Sequence, residues 1–440
     1  MELKGVSGEE AICVVGLGYV GLPTAVAFHS AGFRVIGVDV SERVITGLKN
    51  GKSPLIDSSS EIEIPVKSDR WTVSSDFQEA IPISDVVLIT VPTPVSTDRS
   101  PDLSFVQSAA NSVLENVDRG KKTVVVLEST VYPGVTREIL GGSCDRLGLK
   151  ISEEIILAYC PERVNPGDYE RGVEAVAQIV GCDDPDWGDW LAELFGKITM
   201  ESSTFVGSME VAEASKLIEN VQRDIDIALV NELSMVLPRI GVDVEDVLAA
   251  AATKWNFHRH TPGIGVGGHC IPVDPYYYIE LAKNVGFPSL LASSSRKINS
   301  GMPEKSAEQI SKILDSEENS RVLILGYSYK ANVGDTRETP VKELAMHLKN
   351  KGHQILIHDP MVEQEEIPEW AEYISEPSKC EDLDIIVLAT NHREYNFSNG
   401  DFWESMITNT KKCQIYDGRR ALPRKKMEEK GWAYYGVGST

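Results

Sequence analysis

Residues 262–275 read PGIGVGGHCIPVDP, and they hold the strongest local chemical signal in the chain. Four glycines within Gly263–Gly268 make a flexible, close-approach loop that delivers Cys270, with Asp274 four residues on. A lone cysteine is usually a buried structural thiol. This one is flanked by glycines, His269 and an acid, which are the surroundings of a nucleophile. His269 either lowers the thiol pKa or holds the loop, and the sequence leaves both open. A second signal is Gly16-Leu-Gly18-Tyr19-Val20-Gly21, placed between an apolar run and a helical pattern, with Asp39 18 residues after its last glycine. Such glycines let the backbone approach a pyrophosphate at a helix N-terminus, while the acid takes ribose hydroxyls. An acid at position 39 repels a 2′-phosphate, so the spacing points to NAD. Arg43, one turn later, is the feature that would instead tolerate NADP.

Other residues gain meaning from position. Val91-Pro-Thr93-Pro94, Glu128-Ser-Thr130-Val-Tyr-Pro-Gly134 and Cys160-Pro-Glu162-Arg163-Val-Asn165 follow apolar runs, at strand ends where open α/β sheets hold ligands. Taken alone, the first two read as turn chemistry rather than function, and an isolated Glu162 past a strand end carries no meaning. Lys216 and Asn220 are spaced i and i+4, so a helix projects both from one face; by themselves they are an ordinary solvated pair. Lys330 and Arg337 offer local positive charge for an anionic ligand.

The elements that must carry these groups are legible as patterns. Short β-branched runs at Ala11–Val15, Arg34–Val38, Val86–Val91, Thr123–Leu127 and Ile155–Tyr159 predict buried parallel strands, with a first helix through Val20–Ala31. Ser208 to about Ala252 carries helical spacing over more than thirty residues, punctuated by Pro238 and Gly241. It predicts a long linking helix whose wide apolar face packs against a second subunit or against the core. A third region repeats the opening layout: strand Arg321–Leu325, Gly326, helix Val341–Lys351, strand Gln354–His358, Asp359, then strands Ile385–Ala389 and Gln414–Asp417. The expected fold is α/β: two Rossmann-like doubly wound parallel-sheet domains joined by a long helix, with a ligand cleft between them. The expected boundaries are 1–200 for dinucleotide binding, 201–305 for the central helical region with the cysteine loop, and 306–440 for the second sheet.

Composition narrows the function classes. The 440 residues are 42% hydrophobic and 25% charged, ordinary for a globular chain, at roughly 150 residues per domain. A net charge of −23 disfavours nucleic-acid or anionic-membrane surfaces. The seven cysteines are scattered, odd in number and without a C-x-x-C pair, so no disulfide framework or clustered metal site is expected. The opening MELKGVSGEEAICVVG places glutamates where a signal peptide would be apolar, and no run approaches the ~18 apolar residues of a bilayer span. A cytoplasmic protein is expected.

Taken together, GLGYVGLP, VPTP, ESTVYPG, CPERVNPG, KLIEN, GGHCIPVDP and GYSYKANVGDTRETP resemble the UDP-glucose/GDP-mannose dehydrogenase family, in the family's order and over nearly the whole chain. The segments VAEASKLIENVQRDIDIALVNEL and TKWNFHRHTPG are most similar to the branch acting on UDP-N-acetylhexosamines. The resemblance implies a four-electron oxidation of the sugar's carbon-6 alcohol to the uronic acid, with two NAD⁺ consumed. It implies Cys270 as the nucleophile that traps the aldehyde, Lys216 and Asn220 as stabilisers of the developing oxyanion, Asp274 as the acid that assists proton transfer, Glu162 in acid/base steps and Thr130 in the water network. Gly16, Gly18, Tyr19, Val20, Gly21, Asp39, Arg43, Thr93 and Thr130 form the implied cofactor set. Glu162, Arg163, Lys216, Asn220, Arg259, Gly267, Lys330 and Arg337 form the implied UDP-sugar set, Arg259 reaching a neighbouring subunit's site, and a homodimer or dimer-based oligomer is implied. Some relatives carry a second glutamate at the position of Pro166. The loop Phe257–Thr261 departs from the commoner versions of the branch, so gluco, galacto and manno epimers stay open, and UDP-glucose is the runner-up. Two further readings are a two-electron hydroxyacid-type dehydrogenase, which needs no cysteine, and a binding-only relative, against which Cys270, Lys216 and Asn220 argue.

Overall fold

The computed structural model describes residues 5–55, 62–163, 173–315 and 319–440; Val164–Gly167 of the CPERVNPG motif, Pro166 among them, lie outside these. The chain forms two compact units, one holding residues up to Glu219 with Tyr276–Pro288, the other Asn220–Pro275 with Ser289–Thr440.

The first unit is built on β1 (Ala11–Val15), β2 (Arg34–Val38), β3 (Trp71–Ser74), β4 (Val86–Ile89), β5 (Thr123–Leu127), β6 (Ile155–Tyr159), β7 (Ile179–Cys182) and β8 (Thr204–Phe205), in the order β3-β2-β1-β4-β5-β6-β7-β8. The first six are parallel, β7 joins β6 antiparallel, and β8 pairs parallel to β7. Strands buried on both faces need apolar residues at every position. In β1, Ile12 and Val14 enter one core with Leu22 and Phe28, while Cys13 and Val15 enter the opposite core with Val106 and Ala110.

The second unit carries β9 (Arg321–Leu325), β10 (Gln354–His358), β11 (Glu372–Tyr373), β12 (Ile385–Leu388), β13 (Gln414–Asp417) and β14 (Ala433–Gly436), all parallel in the order β11-β10-β9-β12-β13-β14. The two sheets therefore share one strand order over their parallel parts, as the strand–Gly–helix–strand–Asp echo predicts. Both fourth strands stop short of the expected ends. Thr90 turns its hydroxyl onto the Val15 and Gly16 carbonyls, and Thr390 turns its own onto the Ser328 carbonyl, while the N–H groups of both still bond the central strand.

The linking helix is shorter than its sequence pattern, spanning Met209–Val236, 28 residues. Pro238 lacks the N–H that an α-helix would use, and Leu237–Ile240 tighten into a 3₁₀ turn closed by Gly241 at φ 75°. A separate helix, Val244–Ala251, follows. The helix Leu290–Ile313 was not legible in advance, because Pro303 sits inside it and its early turns are serine-rich. It is fastened to the long helix by Asp224, which is fully buried. Asp224 accepts from Arg296 Nη1 at 2.5 Å, Ser295 Oγ at 2.7 Å and Asn299 Nδ2 at 2.8 Å.

Candidate active site

In the first unit the glycine motif follows β1 and opens the helix Gly21–Ser30. Gly16 takes φ +96°, and a Cβ there would press on the Thr90 carbonyl oxygen at 3.0 Å. A Cβ on Gly21 would overlap the Gly16 carbonyl oxygen, so helix and strand can approach only through glycine. Gly18 is exposed and a Cβ there would meet nothing within 4 Å, which leaves that backbone open to a ligand. Asp39 is half-buried just past β2. Its Oδ2 accepts from the Leu17 N–H at 2.8 Å and its Oδ1 from the Ser41 N–H at 2.8 Å. This cradle, with its close glycine backbone and the half-buried Asp39, fits a dinucleotide. Tyr19 and Val20 are half-buried beside it, and Arg43 is exposed on the helix Glu42–Lys49. The Thr93 and Pro94 carbonyls are held by the Tyr277 hydroxyl at 3.0 and 3.2 Å.

Thr130 and Glu162 follow β5 and β6, both half-buried. Arg163 ties its segment to the long helix, its Nη2 donating to Glu219 Oε1 at 2.6 Å and its Nη1 to the Ala177 carbonyl at 2.9 Å. Lys216 lies buried one turn before Asn220 in the same helix.

In the second unit the glycine loop is packed rather than free. Gly267 would bring a Cβ within 2.6 Å of Tyr329 Cβ and 2.8 Å of the Glu338 carbonyl oxygen, and Gly268, at φ +93°, within 2.7 Å of the Tyr329 ring. The Gly263 N–H donates to Asn231 Oδ1 at 3.0 Å, fixing the loop to the long helix. Cys270 is half-buried. Its carbonyl accepts from the Val273 and Asp274 N–H groups at 3.0 and 2.8 Å, a turn that leads into the helix Asp274–Asn284. Asp274 is buried, and Asn220 Nδ2 donates to its Oδ2 at 2.5 Å. The structure thus brings Asn220, Asp274 and the Cys270 turn together. Five other cysteines are buried; burial pushes the Cys13 thiol up to about 12 and the Cys144 and Cys182 thiols up to about 11, which makes them inert.

His269 Nε2 lies 3.1 Å from Asp335 Oδ2, and Arg337 clamps the same carboxylate at 2.7 Å. Burial pushes Asp335 upward, yet the hydrogen bonds from His269 and Arg337 hold it well below the usual carboxylate range. His269 is thereby tied to Asp335. Lys330 is half-buried beside Tyr329, while Arg259 is exposed and paired with Glu245 of Val244–Ala251.

Sequence reasoning passed over Arg419, just beyond β13. Its Nε donates to the Ala389 carbonyl at 2.6 Å, and its Nη1 lies near Gly263 and Gly265 of the cysteine loop. Its Nη2 is out of solvent with no partner among the described residues. Burial pushes this guanidinium down to about 10, against the pull of Asp417. The available signal was Asp417-Gly-Arg419 at a strand's carboxyl end, the same logic applied to the other strand-end motifs.

A glycine cradle shaped for a dinucleotide in the first unit and a half-buried cysteine on a packed glycine loop in the second are features of an NAD-dependent oxidoreductase. Models of the UDP-glucose/GDP-mannose dehydrogenase family match in succession: the NAD binding domain at residues 10–199, the central domain at 210–301 and the UDP binding domain at 323–424. The chain belongs to this family, and NAD is its cofactor. It is 36% identical over 394 residues to the UDP-N-acetyl-D-glucosamine 6-dehydrogenase of Pseudomonas aeruginosa, covering 87% of this chain and 91% of that protein. Among solved structures, the UDP-D-ManNAc dehydrogenase of Pyrococcus horikoshii matches with a TM-score of 0.86 at 32% identity, over 97% of this chain and 99% of that one. A UDP-glucose dehydrogenase of Pyrobaculum islandicum matches with a TM-score of 0.86 at 25% identity, over 100% of both chains. Among the described residues no helix is long and apolar enough to cross a membrane, and no group of three His, Cys, Asp or Glu could hold a metal ion.

Proposed function

We propose that the protein oxidises the carbon-6 alcohol of a UDP-N-acetylhexosamine to the uronic acid in two steps, through a covalent adduct on Cys270. The observation that carries this reading is the half-buried Cys270 on its packed glycine loop, its carbonyl bonded to the Asp274 N–H and Asp274 bonded to Asn220. Bound NAD⁺ supplies the hydride acceptor for both oxidations, held by Gly16, Gly18, Tyr19, Val20, Gly21 and Asp39, with Thr93 and Thr130 alongside and Arg43 at the rim. The Cys270 thiolate adds to the aldehyde carbon as a thiohemiacetal. Loss of the second hydride gives a thioester, and water cleaves it to the acid and the free thiol. Lys216 and the Asn220 amide meet the negative oxygen of the tetrahedral species. Asp274 takes and returns the proton of the attacking water, and Glu162 serves the acid/base steps of alcohol oxidation with Thr130 ordering water. Arg163 and Gly267 border the sugar, and Lys330, Arg337 and Arg419 meet the UDP phosphates.

The three-part division at 1–200, 201–305 and 306–440 remains our reading of how these roles are shared. A homodimer is supported by Val211, Ile218, Leu229 and Val236, each about half exposed on the helix Met209–Val236 at spacings of 7, 11 and 7 residues, which helical geometry aligns in one stripe. Arg259 completes a neighbour's site in such an assembly. A cytoplasmic location and a product destined for a polysaccharide complete the proposal.

The test is kcat/KM with NAD⁺ across UDP-N-acetylglucosamine, its manno and galacto epimers and UDP-glucose. One N-acetylated substrate should exceed UDP-glucose by 10⁴-fold or so, the order at which a pocket that bonds an amide rejects a ligand without it. UDP-glucose as the best substrate would overturn the branch assignment.

A further inference from the structure

Glu128 and Glu162 leave neighbouring strands at the same end of the first sheet. β5 and β6 run in register to Leu127 and Tyr159, and the Cys160 N–H donates to the Leu127 carbonyl at 3.0 Å, so Glu128 begins directly beside Cys160. The two glutamates, Cys160, Gln178, Phe195 and Ile198 line one narrow space, too tight to hold a water molecule. Glu128 is 4% exposed, and its Oε1 is out of solvent with no hydrogen-bond partner among the described residues. Among the described residues no basic side chain lines the space. The nearest cation in sequence, Arg163, is engaged by Glu219 and the Ala177 carbonyl. The Cys160 thiol is pushed well up by burial and by both glutamates, so it contributes no charge. A carboxylate buried without a cation costs far more than a neutral acid in the same place. Burial first, and then the charge of Glu162, push the Glu128 carboxyl well above its usual range.

We propose that Glu128 is the positioning residue of Glu162: a neutral carboxylic acid that donates its O–H to the Glu162 carboxylate and so fixes which Glu162 oxygen accepts the substrate's proton. The inference rests on the reading of Glu162 as an acid/base group. Glu128 forms no bond to substrate, and no net proton leaves it in turnover. Two carboxyls sharing a site hold one proton between them, and the more exposed member ionises first.

Infrared difference spectra at neutral pH should show the C=O stretch of a protonated carboxylic acid in the wild-type protein that is absent from Glu128→Gln. Glu128→Gln keeps a neutral donor of the same shape and should hold kcat within about threefold, whereas Glu128→Leu should lose about tenfold or more in kcat with KM for both substrates unchanged. The proposal is overturned by a wild-type spectrum without that band, by Glu128→Gln as slow as a chemically dead enzyme, or by Glu128→Leu at full kcat. Should the leucine variant fail to fold, the band and the glutamine variant decide. Glu162→Gln separates the two assignments. Full activity there overturns the role of Glu162 and this inference with it, while a slow Glu162→Gln beside a fast Glu128→Leu overturns this inference alone.

Discussion

At the end of β1 the Gly16 N–H donates to the Val38 carbonyl at 2.8 Å; at the end of β9 the Gly326 N–H donates to the His358 carbonyl at 2.8 Å. An aspartate closes the next strand in both sheets and accepts backbone N–H groups from the turn. Asp39 takes Leu17, and Asp359 takes Tyr327 at 2.6 Å and Ser328 at 2.8 Å. There the likeness stops. Asp39 is half-buried beside the open Gly18. Asp359 is buried, with His392 Nε2 at 3.0 Å from its Oδ2 and the Met361 N–H on its Oδ1 at 2.8 Å. Burial alone would raise the Asp359 pKa, but His392 and the backbone donors hold it below the usual range. Ser328 occupies the place of Gly18, fully buried, its hydroxyl 3.1 Å from His392. The same carboxylate is half-buried and within reach of a ligand in the first sheet, and a structural rivet in the second, where it is buried and bonded by His392 and three backbone N–H groups. In the first sheet Asp39 stays accessible beside Gly18, whereas beyond the second sheet's strands Tyr329 and Arg419 pack against and brace the loop that carries Cys270.

The bracing gives the largest expected effect. Gly267→Val would drive a branched side chain into Tyr329 and the Glu338 carbonyl, and kcat should fall on the order of 100-fold while KM for NAD⁺ holds. A variant with unchanged kcat would show that the second sheet does not set the cysteine's position. The paired aspartates come next. Asp39→Asn should raise KM for NAD⁺ roughly tenfold and narrow the preference over NADP⁺, with little change in thermal midpoint. Asp359→Ala should do the reverse, leaving KM for NAD⁺ alone and lowering Tm by roughly 6–12 °C, the cost of opening a buried, fully bonded pair. Equal KM changes in both would erase the distinction between site and rivet.

The smallest effect lies on the surface of the first unit. Arg137 bonds Asp183 and Glu210 at 2.6 and 2.8 Å, and the Arg137 hydrogen bond, acting against burial, holds Glu210 down at about 2 from an ordinary 4.5. A depressed carboxylate stabilises the fold above its unfolded value and loses that contribution as pH falls from 4.5 through about 2. With Arg137 51% exposed, screening limits the contribution to about 1 kcal/mol or less. Arg137→Met should therefore slightly flatten the acid side of the stability curve in urea titrations and leave neutral pH nearly unchanged.

The legible parts of the molecule were those whose cause is local. Ala11–Val15 and Arg321–Leu325 are apolar runs closed by glycine because strands at a sheet centre have no polar face. Trp71–Ser74, at the sheet's edge with alternating burial, and the two-residue edge strand Glu372–Tyr373 carry no such run and were missed. Gly16, Asp39, Cys270 and Asp274 were readable because loop chemistry shows in residue types. The filling of Asp359 by His392, 33 residues on, was not, nor was the burial of Glu128 or the reach of Arg419 to the cysteine loop. Each depends on partners that only the folded sheet brings together.

The central claim is that Cys270 turns a two-electron dehydrogenase scaffold into a four-electron one, and the direct measurement is NADH formed per UDP-sugar consumed, in the wild-type protein and in Cys270→Ser. The account predicts two NADH per sugar with the uronic acid as product, and loss of overall conversion to the acid in the serine variant. One NADH per sugar in the wild type, or a serine variant that still releases two, would contradict it.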